Sequence, residues 1–216
     1  MARPGPYSSQ MKIICIGRNY IEHAKELNNP VPEKPVVFMK PSSALLVNNK
    51  PFYYPEFTKD LHHEIEVVLK ICKNGRHVQP DFAASYYDQI ALGIDFTARD
   101  LQSECKKKGH PWEIAKGFDG SAVLSPFLPI DTLNRHAIAF QLEKNGEKVQ
   151  EGNTKDMIFS FDDIIVYVSQ FFKLQVGDLI YTGTPAGVGP VQIGDQLKGF
   201  LHTKHEIKEM FSCDVK

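Results

Sequence analysis

The segment Leu61-His62-His63-Glu64-Ile65-Glu66-Val67-Val68-Leu69-Lys70-Ile71 constrains the fold more than any other part of the chain. Its pattern alternates, and successive side chains of a β-strand point to opposite faces. Leu61, His63, Ile65, Val67 and Leu69 therefore share one face, a core face apart from the histidine. His62, Glu64 and Glu66 share the other. At a rise of ~3.4 Å per residue the two carboxylates lie roughly 7 Å apart. The apolar sequence around them draws them partly out of water, where two anions repel and lose hydration. A bound cation relieves both penalties, and oxygen ligands select a hard ion such as Mg²⁺ or Mn²⁺. Taken alone, the segment reads more readily as an exposed strand with two ordinary glutamates, because E-x-E is common in strands.

Further short apolar runs predict strands at Met11–Gly17, Val36–Met39, Ile90–Phe96 and Leu179–Tyr181, and near the C-terminus at Gln196–Leu201 and Ile207–Phe211. Asn145-Gly146, between Phe140–Leu142 and Lys148–Gln150, and Asn74-Gly75, after Ile71, carry hairpin-turn chemistry. Helices are few. One is expected over Asn19–Leu27, stopped by Asn28-Asn29-Pro30, and a second is capped by Thr97 and runs through Lys107. A third spans Phe161–Phe172, opened by Ser160 with Asp163 in a capping-box spacing. Many short strands, two hairpins and few helices predict an α+β fold with a β-rich core. No repeat, linker or low-complexity tract divides the chain, so Met11–Lys216 is expected to be one domain. Met1–Gln10 reads as an expression leader ahead of a second Met at Met11.

Composition excludes several classes of function. A formal net charge of -1 on 216 residues leaves no electrostatic footprint for nucleic acid or an anionic membrane. Lys106-Lys107-Lys108 reads as a solvated helix face. No apolar stretch approaches the ~20 residues of a membrane span, and Met1–Gln10 lacks the apolar core of a signal peptide. Cys15, Cys72, Cys105 and Cys213 are far apart and show no CxxC spacing, which excludes zinc-ribbon and thioredoxin readings, and the missing signal predicts free thiols in a reducing compartment and a cytoplasmic protein.

Four other features carry chemistry. Asp95 ends the apolar run Ile90-Ala91-Leu92-Gly93-Ile94, where a charge is costly without compensation. By itself it is as much a helix cap as a ligand; with Glu64 and Glu66 it completes a three-carboxylate site. His23 and Glu26 are three apart on a helix, so they share a face. The carboxylate orients the imidazole and raises its pKa, an arrangement for activating water, although a surface pair has the same spacing. Arg18 follows a strand end. Thr182-Gly183-Thr184-Pro185-Ala186-Gly187-Val188-Gly189-Pro190 is either a tight turn or an anion-binding nest, and matches neither the P-loop nor the dinucleotide fingerprint. Lys116, between Trp112 and Phe118, is placed to bind a carboxylate or a developing enolate.

The segments CIGRNYIEH, FMKPSSAL, LHHEIEVVL, LGIDFTARDLQSECKKKGHPWEIAKGFD, MIFSFDDIIVYVS and GDLIYTGTPAGVGPV together resemble the fumarylacetoacetate hydrolase family, in the family's order and over most of Met11–Lys216. They are most similar to its small acylpyruvate hydrolase and oxaloacetate decarboxylase branch. The resemblance implies a mixed-sheet β-roll, usually a homodimer, with Mg²⁺ or Mn²⁺ held by Glu64, Glu66 and Asp95. It further implies a catalytic His23–Glu26 dyad, a substrate-binding Lys116, and a pocket lined by Arg18, Arg99, Gln102 and Thr184. Gly117 departs from the Ser or Thr expected after the lysine. The implied activity is C–C bond cleavage in a small 2-oxo acid through a metal-stabilised pyruvate enolate, by acylpyruvate hydrolysis or oxaloacetate decarboxylation. A 2-oxo-dienoate hydratase or isomerase on the same metal site is the alternative enzyme, and a non-catalytic metabolite binder the alternative class.

Overall fold

Residues 11–26, 30–204 and 206–216 are described by a computed structural model. The leader Met1–Gln10 and the helix stop at Asn28-Asn29 fall outside them. In chain order the elements are β1 (Ile13–Gly17), α1 (Ile21–Glu26), β2 (Val36–Lys40), β3 (Leu45–Val47), β4 (Leu61–His63), β5 (Ile65–Ile71), α2 (Pro80–Ala83), β6 (Tyr87–Asp95), β7 (Thr97–Ala98), α3 (Arg99–Lys108) and α4 (Glu113–Lys116). There follow β8 (Ala122–Leu124), β9 (Leu128–Pro129), β10 (Ala139–Lys144), β11 (Glu147–Asn153), α5 (Phe161–Phe171), β12 (Leu179–Tyr181), β13 (Gly189–Pro190), β14 (Gln196–His202) and β15 (Ile207–Asp214).

The largest sheet runs β2-β1-β12-β5-β6-β8-β3, with β9 added beside β6. Its β1–β12 and β3–β8 pairs are parallel and its other pairs antiparallel, so the sheet is mixed. A four-stranded sheet, β11-β10-β14-β15, and a three-stranded one, β13-β4-β7, complete the α+β roll. Asn145 and Gly146, both at positive φ, turn β10 into β11 as a tight hairpin.

Strands β5 and β6 are covered on both faces. Ile65, Val67 and Leu69 join the main apolar cluster, while Val68 and Ala91 pack on the opposite side with Cys15, Leu179 and Tyr181. Each of the valine, leucine and isoleucine side chains contributes ~1.5–3 kcal/mol when withdrawn from water. A polar group on either face is withdrawn with them, and this is how Glu66 and Asp95 come to be 2% and 1% exposed. Helix α5 forms by the expected capping box. The Ser160 hydroxyl accepts from the Asp163 amide at 3.2 Å, and the Asp163 carboxylate accepts from the Ser160 amide at 3.0 Å. Its buried Phe161, Ile164, Ile165 and Val168 recur at helical spacing.

Two local expectations are corrected. Asn74-Gly75 does not form a hairpin: Gly75 bridges Leu174, and α2 lies between β5 and β6. Thr97 does not cap α3. It belongs to β7, its hydroxyl donates to the Asp95 carbonyl at 3.2 Å, and the residue before the helix is Ala98. The four cysteines are free, as expected. Among the described residues, no helix is long and apolar enough to cross a membrane.

Candidate metal centre and active-site cleft

The register of β5 on β6 assembles the acidic cluster. Ile65 faces Ile94 and Glu66 faces Gly93, and the Asp95 amide donates to the Glu64 carbonyl at 2.8 Å. Directly opposed residues of an antiparallel pair present side chains on the same face. Glu64, Glu66 and Asp95 accordingly converge, each offering an oxygen within 4.8 Å of the others. All three are buried. Three carboxylate oxygens on a rigid ladder suit a hard divalent cation, with coordination positions left for water or a ligand.

The electrostatics point the same way. Burial, then Asp95 and Glu64, pushes the Glu66 carboxyl well above the usual range. Its Oε2 accepts only the Gly183 amide among the described residues, at 2.7 Å. Glu64 is the reverse case. Burial alone would raise its pKa, yet Lys116 and Arg99 hold it well below the usual range. Lys116 Nζ spans the cluster, 2.8 Å from Glu64 Oε2 and 2.6 Å from Asp95 Oδ2. Burial opposes that charge, but Asp95 and Glu64 outweigh it and raise the ammonium pKa. An ammonium ion thus lies where the carboxylates call for positive charge. The donor set fits Mg²⁺ or Mn²⁺.

Around the carboxylates a cleft with a void of ≈ 380 Å³, mouth included, is lined by Arg18, His23, Glu64, Glu66, Asp95, Arg99, Gln102, Lys116 and Thr184, together with Phe38, Lys106 and Trp112. Every site residue expected from the sequence except Glu26 lines this one cleft. Arg18 is held at φ 60, a left-handed conformation that non-glycine residues seldom adopt, where β1 turns toward α1. Arg99 donates to Gln102 Oε1 at 2.7 Å and to Glu64 Oε1, and its Nε is buried without a partner among the described residues.

Glu26 stands behind His23. His23 Nδ1 lies 3.3 Å from Glu26 Oε2, and the same carboxylate accepts the Gly187 amide at 3.0 and 3.2 Å. Glu26 does raise the imidazole pKa, as expected, but the net shift is the opposite of the one the pair alone would give. Burial dominates and lowers it, against opposing contributions from Glu64 and Glu26. Burial therefore favours the neutral imidazole at His23.

Several contributors escape the sequence. Lys40, fully buried at the end of β2, donates to the Lys116, Phe96 and Ser121 carbonyls and to Ser121 Oγ, and forms a 2.7 Å ion pair with Asp95. With Ser121 Oγ, which donates to the Lys116 carbonyl at 2.8 Å, it fixes the turn at Gly117 without a Ser or Thr there. The signal was present: like Asp95, Lys40 ends an apolar run. Asn19 gives its amide to the Thr182 and Phe159 carbonyls at 2.8 and 3.0 Å, tying the Arg18 turn to the Thr182–Pro190 loop. Gly183, at φ 104, closes that contact; a Cβ there would lie 2.6 Å from Asn19 Cβ, so a side chain would push the Gly183 amide away from Glu66. Lys106 is more than a solvated lysine. Though exposed, it lies over Trp112 at the cleft wall, and burial followed by Arg18 and Arg99 brings its ammonium pKa down to about 8.

A mixed roll whose central ladder gathers three buried carboxylates beside a neutral histidine defines the class, and sequence comparison agrees. The chain belongs to the fumarylacetoacetate (FAA) hydrolase C-terminal family, whose model matches residues 12–210. It is 44% identical over 191 residues to the mitochondrial oxaloacetate tautomerase FAHD1 of Homo sapiens, covering 88% of this chain and 86% of that protein. It is 41% identical over 188 residues to the oxaloacetate tautomerase YcgM of Escherichia coli K12, covering 86% of each. Among solved structures it is similar to fumarylpyruvate hydrolase from Pseudomonas aeruginosa in complex with Mn²⁺ and pyruvate. That match has a TM-score of 0.88 at 34% identity and covers 100% of this chain and 94% of the other.

Proposed function

We propose that this chain is a Mg²⁺- or Mn²⁺-dependent enzyme acting on small 2-oxo acids through their enolates, with keto–enol conversion of oxaloacetate foremost. The observation that carries the reading is that Glu64, Glu66, Asp95, His23 and the cationic Arg18, Arg99 and Lys116 open onto one cleft. In it Glu64, Glu66 and Asp95 hold the cation, which when bound supplies Lewis-acid stabilisation of enolate charge. Arg18, Arg99, Gln102 and Thr184 bind and orient the acid. With Nδ1 turned to Glu26, His23 presents Nε2 to the proton at C3. Lys116 shares the negative charge that develops on the 2-oxo oxygen. The relatives named oxaloacetate tautomerase support this choice.

A second reading, C–C bond cleavage of an acylpyruvate or decarboxylation of oxaloacetate, uses the same enolate. The His23–Glu26 pair favours the hydrolytic version, because a neutral buried imidazole oriented by a carboxylate can equally deprotonate a water. The similarity to a fumarylpyruvate hydrolase supports it.

Oxaloacetate, acetylpyruvate and fumarylpyruvate assayed side by side decide between the readings. Enol decay by absorbance reports tautomerisation, and pyruvate release reports cleavage. EDTA should abolish the activity and Mg²⁺ restore it; full turnover in EDTA refutes the proposal. Residues 11–216 act on this reading as one catalytic domain in a cytoplasmic homodimer. The concave face around Phe52, Tyr53, Phe57 and Phe118, with Tyr53 71% exposed, offers a dimer contact. Sedimentation should give twice the 24.4 kDa chain mass, and a monomer at micromolar concentration refutes the dimer.

A further inference from the structure

We infer that Gln150 is a positioning residue that fixes Thr184 as a hydrogen-bond donor to the bound acid, an inference that rests on the cleft being a 2-oxo acid site. Gln150 lies on β11, in a different sheet from the acidic cluster, and is 2% exposed. Its amide makes four contacts. Oε1 faces the Ile65 amide at 3.1 Å and His63 Nδ1 at 2.9 Å; Nε2 faces Thr184 Oγ1 at 2.9 Å and the Pro185 carbonyl at 3.0 Å.

Two of these partners have fixed polarity, and that settles the other two. The Ile65 N–H can only donate, so the atom facing it is the oxygen. The Pro185 carbonyl can only accept, so the atom facing it is the nitrogen. A flipped amide would set donor against donor and acceptor against acceptor. His63 Nδ1 must then carry a hydrogen. Thr184 Oγ1 must accept, which leaves its own hydroxyl hydrogen uncommitted. Among the described residues nothing in the protein accepts that hydrogen, and Thr184, 2% exposed, lines the cleft beside the cationic side chains. A buried hydroxyl held in this way is a preset donor for a carboxylate or 2-oxo oxygen.

The clamp also sets distance. Ile65 lies between Glu64 and Glu66, so one saturated amide joins the strand carrying two of the carboxylates to the loop carrying Thr184. Close backbone approach supports it. Gly187, at φ 93, runs so near β11 that a Cβ there would be 2.4 Å from the Val149 carbonyl oxygen.

The test measures the dissociation constant of pyruvate from the full-length Mg²⁺-loaded protein. Gln150→Leu should weaken pyruvate about tenfold, and Thr184→Val by a similar factor, the range for a hydrogen bond to a charged group. The double variant should lose no more than the single ones, because both remove one donor. An unchanged constant in Gln150→Leu, or losses that multiply in the double variant, overturns the inference. Gln150→Glu gives an independent readout should the leucine variant fold poorly. An ionised carboxylate only accepts, so the Thr184 hydroxyl would turn toward it and binding would weaken. Affinity relative to the unaltered protein should then recover as pH falls and the carboxyl becomes a donor. A ratio that does not move with pH contradicts the assignment. If the unaltered protein itself binds no pyruvate with Mg²⁺ present, the functional reading beneath the inference fails instead.

Discussion

Replacing Glu66 with glutamine should make the metal-free protein more stable while abolishing its stabilisation by Mg²⁺. Glu66 is buried beside two other carboxylates and has no ion pair of its own among the described residues. Burial, Asp95 and Glu64 raise its pKa, so the folded state binds this proton more tightly than the unfolded state does. Ionised, Glu66 costs stability, and the cost is relieved as pH falls through the raised value and is gone below the ordinary carboxylate range. Glutamine removes the charge yet can still accept the Gly183 amide through its carbonyl oxygen. The gain should be about 1–3 kcal/mol, a shift of a few degrees in melting temperature. With a ligand oxygen lost, the Mg²⁺-dependent rise in melting temperature should vanish. kcat/KM should fall ~10³-fold or more, matching several kcal/mol of lost charge stabilisation. Thermal melts in EDTA and in Mg²⁺ check both halves. A lower melting temperature in EDTA would refute the cost assigned to the buried charge, and a retained Mg²⁺ shift would show that Glu66 is no ligand.

His23→Ala should lower kcat by ~10²–10⁴ while leaving Mg²⁺ affinity nearly unchanged, because on the proposed reading His23 is the base and not a ligand. The same variant tests the pH dependence. Burial lowers the His23 pKa, so the neutral form persists below the ordinary 6.5 of an imidazole. Activity should hold through neutral pH and decline only as pH falls through that lowered value. This acid limb should disappear in His23→Ala. A limb that persists in the variant belongs to another group, and an unimpaired rate removes His23 from the chemistry.

The acidic cluster was legible because its signal is local: a period-two pattern puts Glu64 and Glu66 on one face, and an apolar run ends at Asp95. Their convergence depends on the β5–β6 register, which only the fold supplies. Lys40 and Gln150 act across 55 or more positions in sequence, through Asp95 and Ile65, and no spacing rule reaches that far. Local chemistry misled where tertiary contacts were stronger. Asn74-Gly75 has hairpin composition, yet Gly75 exchanges backbone hydrogen bonds with Leu174 at 3.0 and 2.8 Å. Thr97 has the composition of a cap, yet pairs as a strand with His62. The imidazole pKa went the wrong way for the same reason: a contact three residues away can be read from sequence, but the depth of burial cannot.

The bridge formed by Lys116 between Glu64 and Asp95 bears on the sequence of ligand arrival. A divalent ion entering there competes with the ammonium for the same oxygens, and success frees that amine to face the cleft. Before then, the three anionic side chains offset Lys40, Arg99 and Lys116, and only Arg18 and Lys106 at the cleft wall are left to attract an incoming dianion. A bound divalent ion would add two positive charges, matching the two negative charges of a dicarboxylic acid. Kinetic measurements on this chain should therefore find compulsory order, ion first and acid second, with the acid leaving before the ion.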